Sequence, residues 1–165
     1  MVSIYRPHGT LDSNEHRYIT RRVGWEMIKA NPWVGVGPEV GREFMRYLPP
    51  DIPTPLPEAY YGHLHNIYLQ YAAERGLPTL AIFLWLIGSI LLHFAKAVRN
   101  LAAEERIRRA VLHGSIAAVL AVLVEGLGEH NLGDSEVLSM FLTIVAWGYV
   151  ATSLRSSETS THRPA

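Results

Sequence analysis

Residues 77–95 run for nineteen positions without an Asp, Glu, Lys or Arg. At about 1.5 Å of rise per helical residue, that length spans roughly 28 Å, close to the thickness of a hydrocarbon core. Two further stretches have the same character. Residues 110–128 are almost as apolar, with His113 and Glu125 near their ends, and residues 136–154 contain Met140, Phe141, Leu142, Ile144, Val145 and Trp147. Three such helices in succession could be soluble core helices only inside a far larger protein. The expected fold is therefore all-α and membrane-integral, with three transmembrane helices at its C-terminal end.

The remaining sequence is different in kind. Residues 1–76 are polar, rich in Pro, Gly and Tyr, and carry eight of the fifteen Lys and Arg residues. The chain thus divides into a loop region (1–76), a three-helix region (77–154) and a short tail (155–165). Cysteine is absent, which excludes a disulfide framework and thiolate metal sites. Charge sets an orientation. Lys96, Arg99, Arg106, Arg108 and Arg109 lie between the first two spans, whereas the 129–135 hairpin has Glu129 and Asp134 and no cation. Positive loops stay cytoplasmic, and Arg155 and Arg163 place the tail on the same side, so residues 1–76 and the hairpin are expected outside. MVSIYRPHGTLDSNEHRY lacks the apolar core of a signal peptide, so earlier spans are expected upstream, with this chain the C-terminal part of a larger polytopic protein.

Within the outer region the pattern predicts helical pieces joined by turns. Thr20 is the expected N-cap of a helix over 21–30 with Val23 and Met27 on one face, stopped by Asn31-Pro32. Gly35-Val36-Gly37-Pro38 predicts a tight turn, Pro38 opens a short helix through Leu48, and PPDIPTPLP at 49–57 predicts an extended strap. Asn66 caps a third helix whose apolar side is Ile67, Tyr68, Tyr71 and Ala72, with Gly76 just past its end and Pro78 beyond. His65 immediately precedes that helix. The positive end of a helix dipole favours a neutral imidazole, the form that can accept a proton, so His65 is a candidate general base. A histidine that only hydrogen-bonds its loop at the membrane interface is the alternative.

These landmarks, in this order, resemble the O-antigen ligase and O-antigen polymerase superfamily of bacterial envelope glycosyltransferases. In that family a histidine, a small polar residue, a nine-residue interval, Gly, two residues and a Gly or Thr end the large periplasmic loop. Here these are His65, Asn66, Gly76 and Thr79. An arginine four residues before a tryptophan, an Asn-Pro-like stop and a Gly-x-Gly turn are matched by Arg21, Trp25, Asn31-Pro32 and Gly35-Val36-Gly37. The stretch GLGEHNLGDSEVL at 126–138 is similar to the family's last outer turn.

The resemblance implies metal-independent glycosyl transfer, with no cofactor, at the periplasmic face of the bacterial inner membrane. Its implied donor is a glycan on undecaprenyl pyrophosphate, and its acceptor is a lipid A–core hydroxyl or the end of another glycan; no nucleic acid is implied. By position Arg21 matches the family's loop arginine and His65 its histidine, with Arg22 as the register-shifted alternative. A departing pyrophosphate needs cationic stabilisation, which guanidinium supplies with bidentate geometry, and the acceptor hydroxyl needs a base. Cations at a helix N-terminus are disfavoured by the dipole, so Arg21 and Arg22 suit an anionic partner. Arg42 and Arg46, one turn apart, either extend a basic surface toward lipid phosphates or form a solvated face. Family members use another arginine from an earlier outer loop, so this chain by itself is expected to be inactive.

Other patterns point less far. His63-x-His65, with His8 and His16, suggests zinc, but no acidic or thiolate ligand stands at useful spacing, and no metal is expected. Gly35-x-Gly37-x-x-x-Gly41 is one residue too long for a dinucleotide fingerprint and reads as a turn. Glu125, Glu129, His130 and Asp134 read as a wet interface in preference to a substrate path. Two alternatives to a ligase remain open: a polymerase of the same superfamily, and a non-catalytic membrane remnant or binding module.

Overall fold

A computed structural model describes residues 13–56 and 62–153. Five helices appear in order: α1 (Ser13–Ala30), α2 (Val40–Glu43), α3 (Ile67–Asn100), α4 (Arg106–Glu125) and α5 (Ser135–Ser153). Single 3-10 turns at Phe44–Tyr47 and Asn131–Gly133 complete the set, with no strand among the described residues. The all-helical, membrane-spanning expectation holds, because α3, α4 and α5 are each long and apolar enough to cross a membrane. His8, Arg155 and Arg163 lie outside the described residues.

The long helices run up, down and up. At one end Arg108 donates to the Ala151 carbonyl at 2.9 Å and His93 meets Thr152 at 3.4 Å. At the other end Tyr68 donates to the Leu123 carbonyl at 2.6 Å. Ile87, Ile90, Phe94, Leu112, Val119, Phe141 and Val145 fill the space between the helices. Trp85, Ile82, Leu92, Met140 and Trp147 are exposed on the outside, as a bundle in lipid requires. Lys96 and Arg99 belong to the last turns of α3, and Arg106, Arg108 and Arg109 to the first of α4, so the basic residues gather at one end of the bundle.

The outer region builds a separate core from Ile19, Val23, Met27, Val40, Phe44, Ile52 and Leu64. Here the structure amends three expectations. Thr20 is not an N-cap: α1 begins at Ser13, and the buried Thr20 hydroxyl donates back to the carbonyls of His16 and Arg17, the alternative use of a mid-helix threonine. The helix expected from Pro38 is one turn of α-helix followed by a 3-10 turn, entered through Glu39 in the left-handed conformation. The proline strap does not run extended, because Ile52 turns back to bond the Pro49 carbonyl and buries its side chain in the core. The stop at Asn31-Pro32 and the Val23/Met27 face are as expected.

Asn66 is the N-cap of α3: its backbone is extended and its side chain accepts from the Leu69 amide at 2.8 Å. Ten residues on, Gly76 breaks the helical geometry at φ 83°, ψ 165° before the apolar span begins. A break of this kind strands the carbonyls of the preceding turn, and Pro78 cannot donate to any of them. The Gly35-Val36-Gly37 turn supplies the missing donors. Val36 N–H bonds the Ala73 carbonyl at 2.8 Å and Gly37 N–H the Glu74 carbonyl at 3.0 Å, while the Leu77 amide turns to the Pro32 carbonyl at 2.8 Å. The Thr79 hydroxyl takes the Arg75 carbonyl at 2.9 Å. The two backbones approach so closely that a Cβ at Gly35 would overlap the Glu74 carbonyl group, and one at Gly76 would overlap Trp33. Gly35, Gly76 and Thr79 therefore belong to a single joint.

Candidate functional site

That joint fixes one end of the nine-residue helical segment 67–75, and the other end carries the site. The hairpin after α4 comes up beneath the N-terminus of α3, where the Ile67 amide donates to the Gly126 carbonyl at 2.8 Å. The Leu127 carbonyl then accepts two bonds of 3.0 Å each, from the Asn66 side-chain amide and from the Arg21 guanidinium. Residues from α1, the α3 cap and the hairpin thus converge within hydrogen-bond reach.

His65 sits at the centre with φ 49°, a left-handed conformation in which histidine is among the few residues enriched. Its neighbour Leu64 is wholly buried, and the His65 side chain is only 19% exposed. Its Nδ1 lies 2.9 Å from Glu129 Oε2. The other carboxylate oxygen accepts from Arg17 at 2.8 Å. The hydrogen bond from His65, then that from Arg17, holds the Glu129 carboxyl below its usual range, so it is ionised at neutral pH. With Nδ1–H directed at a carboxylate, the ring presents Nε2 as its acceptor.

Three further histidines surround this pair. The His16 ring lies 4.7 Å from His65, the His63 ring 4.2 Å from His65, and the His130 ring 6.1 Å from His63. Loss of hydration is the largest cause lowering the pKa of each of the three. For His16 and His63 the proximity of His65 lowers it further.

The arginines separate. Arg17 and Arg21 are one turn apart on α1 and both reach the hairpin. Among the described residues no carboxylate pairs with Arg21, which lines an open groove with Trp25, Asn66, Leu69 and Leu127. Arg22, one residue on, points elsewhere and is held by Asp51 through two bonds of 2.7 and 2.9 Å. Arg42 and Arg46 are exposed and each faces a carboxylate of its own segment, Glu39 at 2.6 Å and Glu43 at 3.5 Å. The structure brings together His65 and Arg21, and not Arg22, Arg42 or Arg46. It adds Glu129 and Arg17, which sequence spacing had not singled out for the site. Glu129 does not behave as an unattached interface residue, since it anchors His65 from 64 positions away.

His63, His65 and Glu129 each offer one ligand atom, and these atoms lie within 4.8 Å of one another. The acidic ligand that local spacing lacked is supplied by the hairpin.

A helical outer cap seated on membrane-crossing helices, with a half-buried histidine–carboxylate pair and, among the described residues, an arginine paired with no carboxylate at their junction, defines a polytopic membrane protein with a polar site at one end of its bundle. The O-antigen ligase family model matches residues 1–84, just over half of the chain, and the chain belongs to that family. The match contains Arg21, Trp25, the glycine turn, His65, Gly76 and Thr79, whereas Glu129 lies beyond it. No curated protein and no solved structure matches the chain.

Proposed function

We propose that this chain carries the acceptor-activating and leaving-group-binding part of a glycosyltransferase that moves a glycan from an undecaprenyl-pyrophosphate carrier to a sugar hydroxyl, on a lipid A–core or another glycan, at the periplasmic face. The observation that carries the reading is the 2.9 Å contact between His65 Nδ1 and Glu129, with Arg21 bonded to the same hairpin. His65 Nε2 takes the proton of the acceptor hydroxyl while that oxygen forms the new bond to the anomeric carbon. The bond from that carbon to the phosphate oxygen breaks, and its electron pair leaves with the carrier pyrophosphate. Glu129 keeps the ring oriented and offsets the charge it acquires on taking the proton, as the carboxylate of a catalytic triad does. Arg21, which pairs with no carboxylate among the described residues, is available to the developing phosphate charge. Trp25, 55% exposed beside Arg21, offers a flat apolar face to a sugar ring.

The test is transfer by the full-length protein in membranes. His65→Ala should lower turnover by about 10²–10⁴-fold, the usual worth of general acid–base catalysis, with donor retention little changed. Normal turnover in a folded His65→Ala enzyme would remove the base assignment.

A further inference from the structure

The histidines around Glu129 exceed what proton transfer requires. His63 has no step in the reaction above, yet its ring lies 4.2 Å from that of His65, tilted by 46°, and its ligand atom joins theirs within 4.8 Å. Leu64, wholly buried between them, anchors the loop in the outer core. Two imidazoles and one carboxylate are the ligand set of many three-coordinate zinc centres with an open fourth position. Metal–ligand bonds of about 2.0–2.2 Å in tetrahedral geometry place ligand atoms about 3.4 Å apart, so small side-chain rotations would bring these three into range. Nitrogen-rich ligation selects zinc and its neighbours over magnesium and calcium.

We infer that His63, His65 and Glu129 form a binding site for Zn²⁺ or a similar transition-metal ion, and that its occupancy silences the His65–Glu129 pair. Arg17, on the other carboxylate oxygen at 2.8 Å, orients Glu129 from behind. The same cation repels a metal ion and keeps the affinity below that of a dedicated structural site. The site is thus suited to reversible inhibition. The binding claim rests on these three side chains alone; the silencing claim rests also on the proposed role of His65.

The experiment titrates the purified 165-residue chain in detergent micelles with Zn²⁺ against a chromogenic chelator, and with Co²⁺ followed by its visible ligand-field bands. One equivalent should bind with four-coordinate cobalt absorption, undisturbed by millimolar Mg²⁺. His63→Ala and Glu129→Gln should each weaken binding by at least about tenfold. His93→Ala, at the opposite end of the bundle beside Thr152, should not. Helical circular dichroism and elution volume check that each variant is folded, with His63→Asn in place of any alanine variant that is not. Absence of saturable binding, or binding indifferent to both His63 and Glu129 substitutions, overturns the site. In the full-length enzyme Zn²⁺ should inhibit transfer, and His63→Ala should transfer normally and resist it. Stoichiometric zinc that leaves wild-type transfer unchanged would overturn the silencing and the base role of His65 while the metal site stood.

Discussion

Substituting Gly76 by alanine tests the joint that couples the outer cap to the membrane helices. At φ 83°, ψ 165° the residue occupies a region open essentially to glycine alone, and forcing a side chain there costs on the order of 1–3 kcal/mol. The added Cβ would overlap the Trp33 carbonyl, so the 32–37 segment must also move away. That movement breaks Leu77 N–H to Pro32, Val36 N–H to Ala73 and Gly37 N–H to Glu74. Three hydrogen bonds at about 0.5–1.5 kcal/mol each add roughly 1.5–4.5 kcal/mol. The total, roughly 2.5–7.5 kcal/mol, is a large share of the 5–15 kcal/mol that ordinarily stabilises a domain. Thermal unfolding of the purified chain in micelles, followed by tryptophan fluorescence, should show a midpoint lowered by about 10 °C or more. Gly88→Ala is the control. A Cβ there meets nothing and lies within regular helix, so a gain of about 0.5–1 kcal/mol is expected. A Gly76→Ala protein that melts with wild type, its 31–48 segment equally resistant to protease, would refute the account of the joint.

Further outcomes follow from the site and the bundle. Arg21→Lys keeps the charge and loses the planar fork, so most transfer activity should disappear with expression unchanged; Arg22→Lys should remain active, and the reverse result would shift the phosphate role by one residue. Glu129→Gln removes the carboxylate that orients His65, and should lower turnover by about 10²-fold or more without a matching rise in acceptor KM. Arg22 holds the Asp51 carboxyl below its usual range, so the contribution of that pair to stability is complete above about pH 4 and is lost as pH falls through the lower folded value. Asp51→Asn should therefore flatten the acid limb of melting curves taken from pH 3 to 6, by a small amount because both groups are exposed. Finally, in intact spheroplasts a cysteine at Ser135 should react with an impermeant thiol reagent and one at Ala103 should not; labelling at Ala103 would invert the topology.

The sequence alone determined the features whose physics is local. Apolar runs long enough to cross a bilayer marked α3, α4 and α5, since span length depends only on residue count and rise. Asn31-Pro32, the Asn66 cap and the Gly76 break were legible because each acts within one helical turn, and Arg21, Trp25, His65 and Gly76 stood in recognisable order. Thr20 misled because a threonine hydroxyl serves a helix start and a mid-helix carbonyl equally well, and only the residues before it show which. Tertiary structure decided what surrounds His65. Glu129 is 64 positions from His65 and 112 from Arg17, so neither periodicity nor motif spacing relates them. The antiparallel return of α4 carries the hairpin to the N-terminus of α3 and sets this carboxylate between the histidine and the arginine. The same closure completes a metal-ligand triad from a His-x-His pair and bonds Arg21 to the Leu127 carbonyl, while Asp51 takes Arg22. Side chains on one helix face follow from a 3.6-residue period, whereas side chains from three segments meet only once the helices have packed.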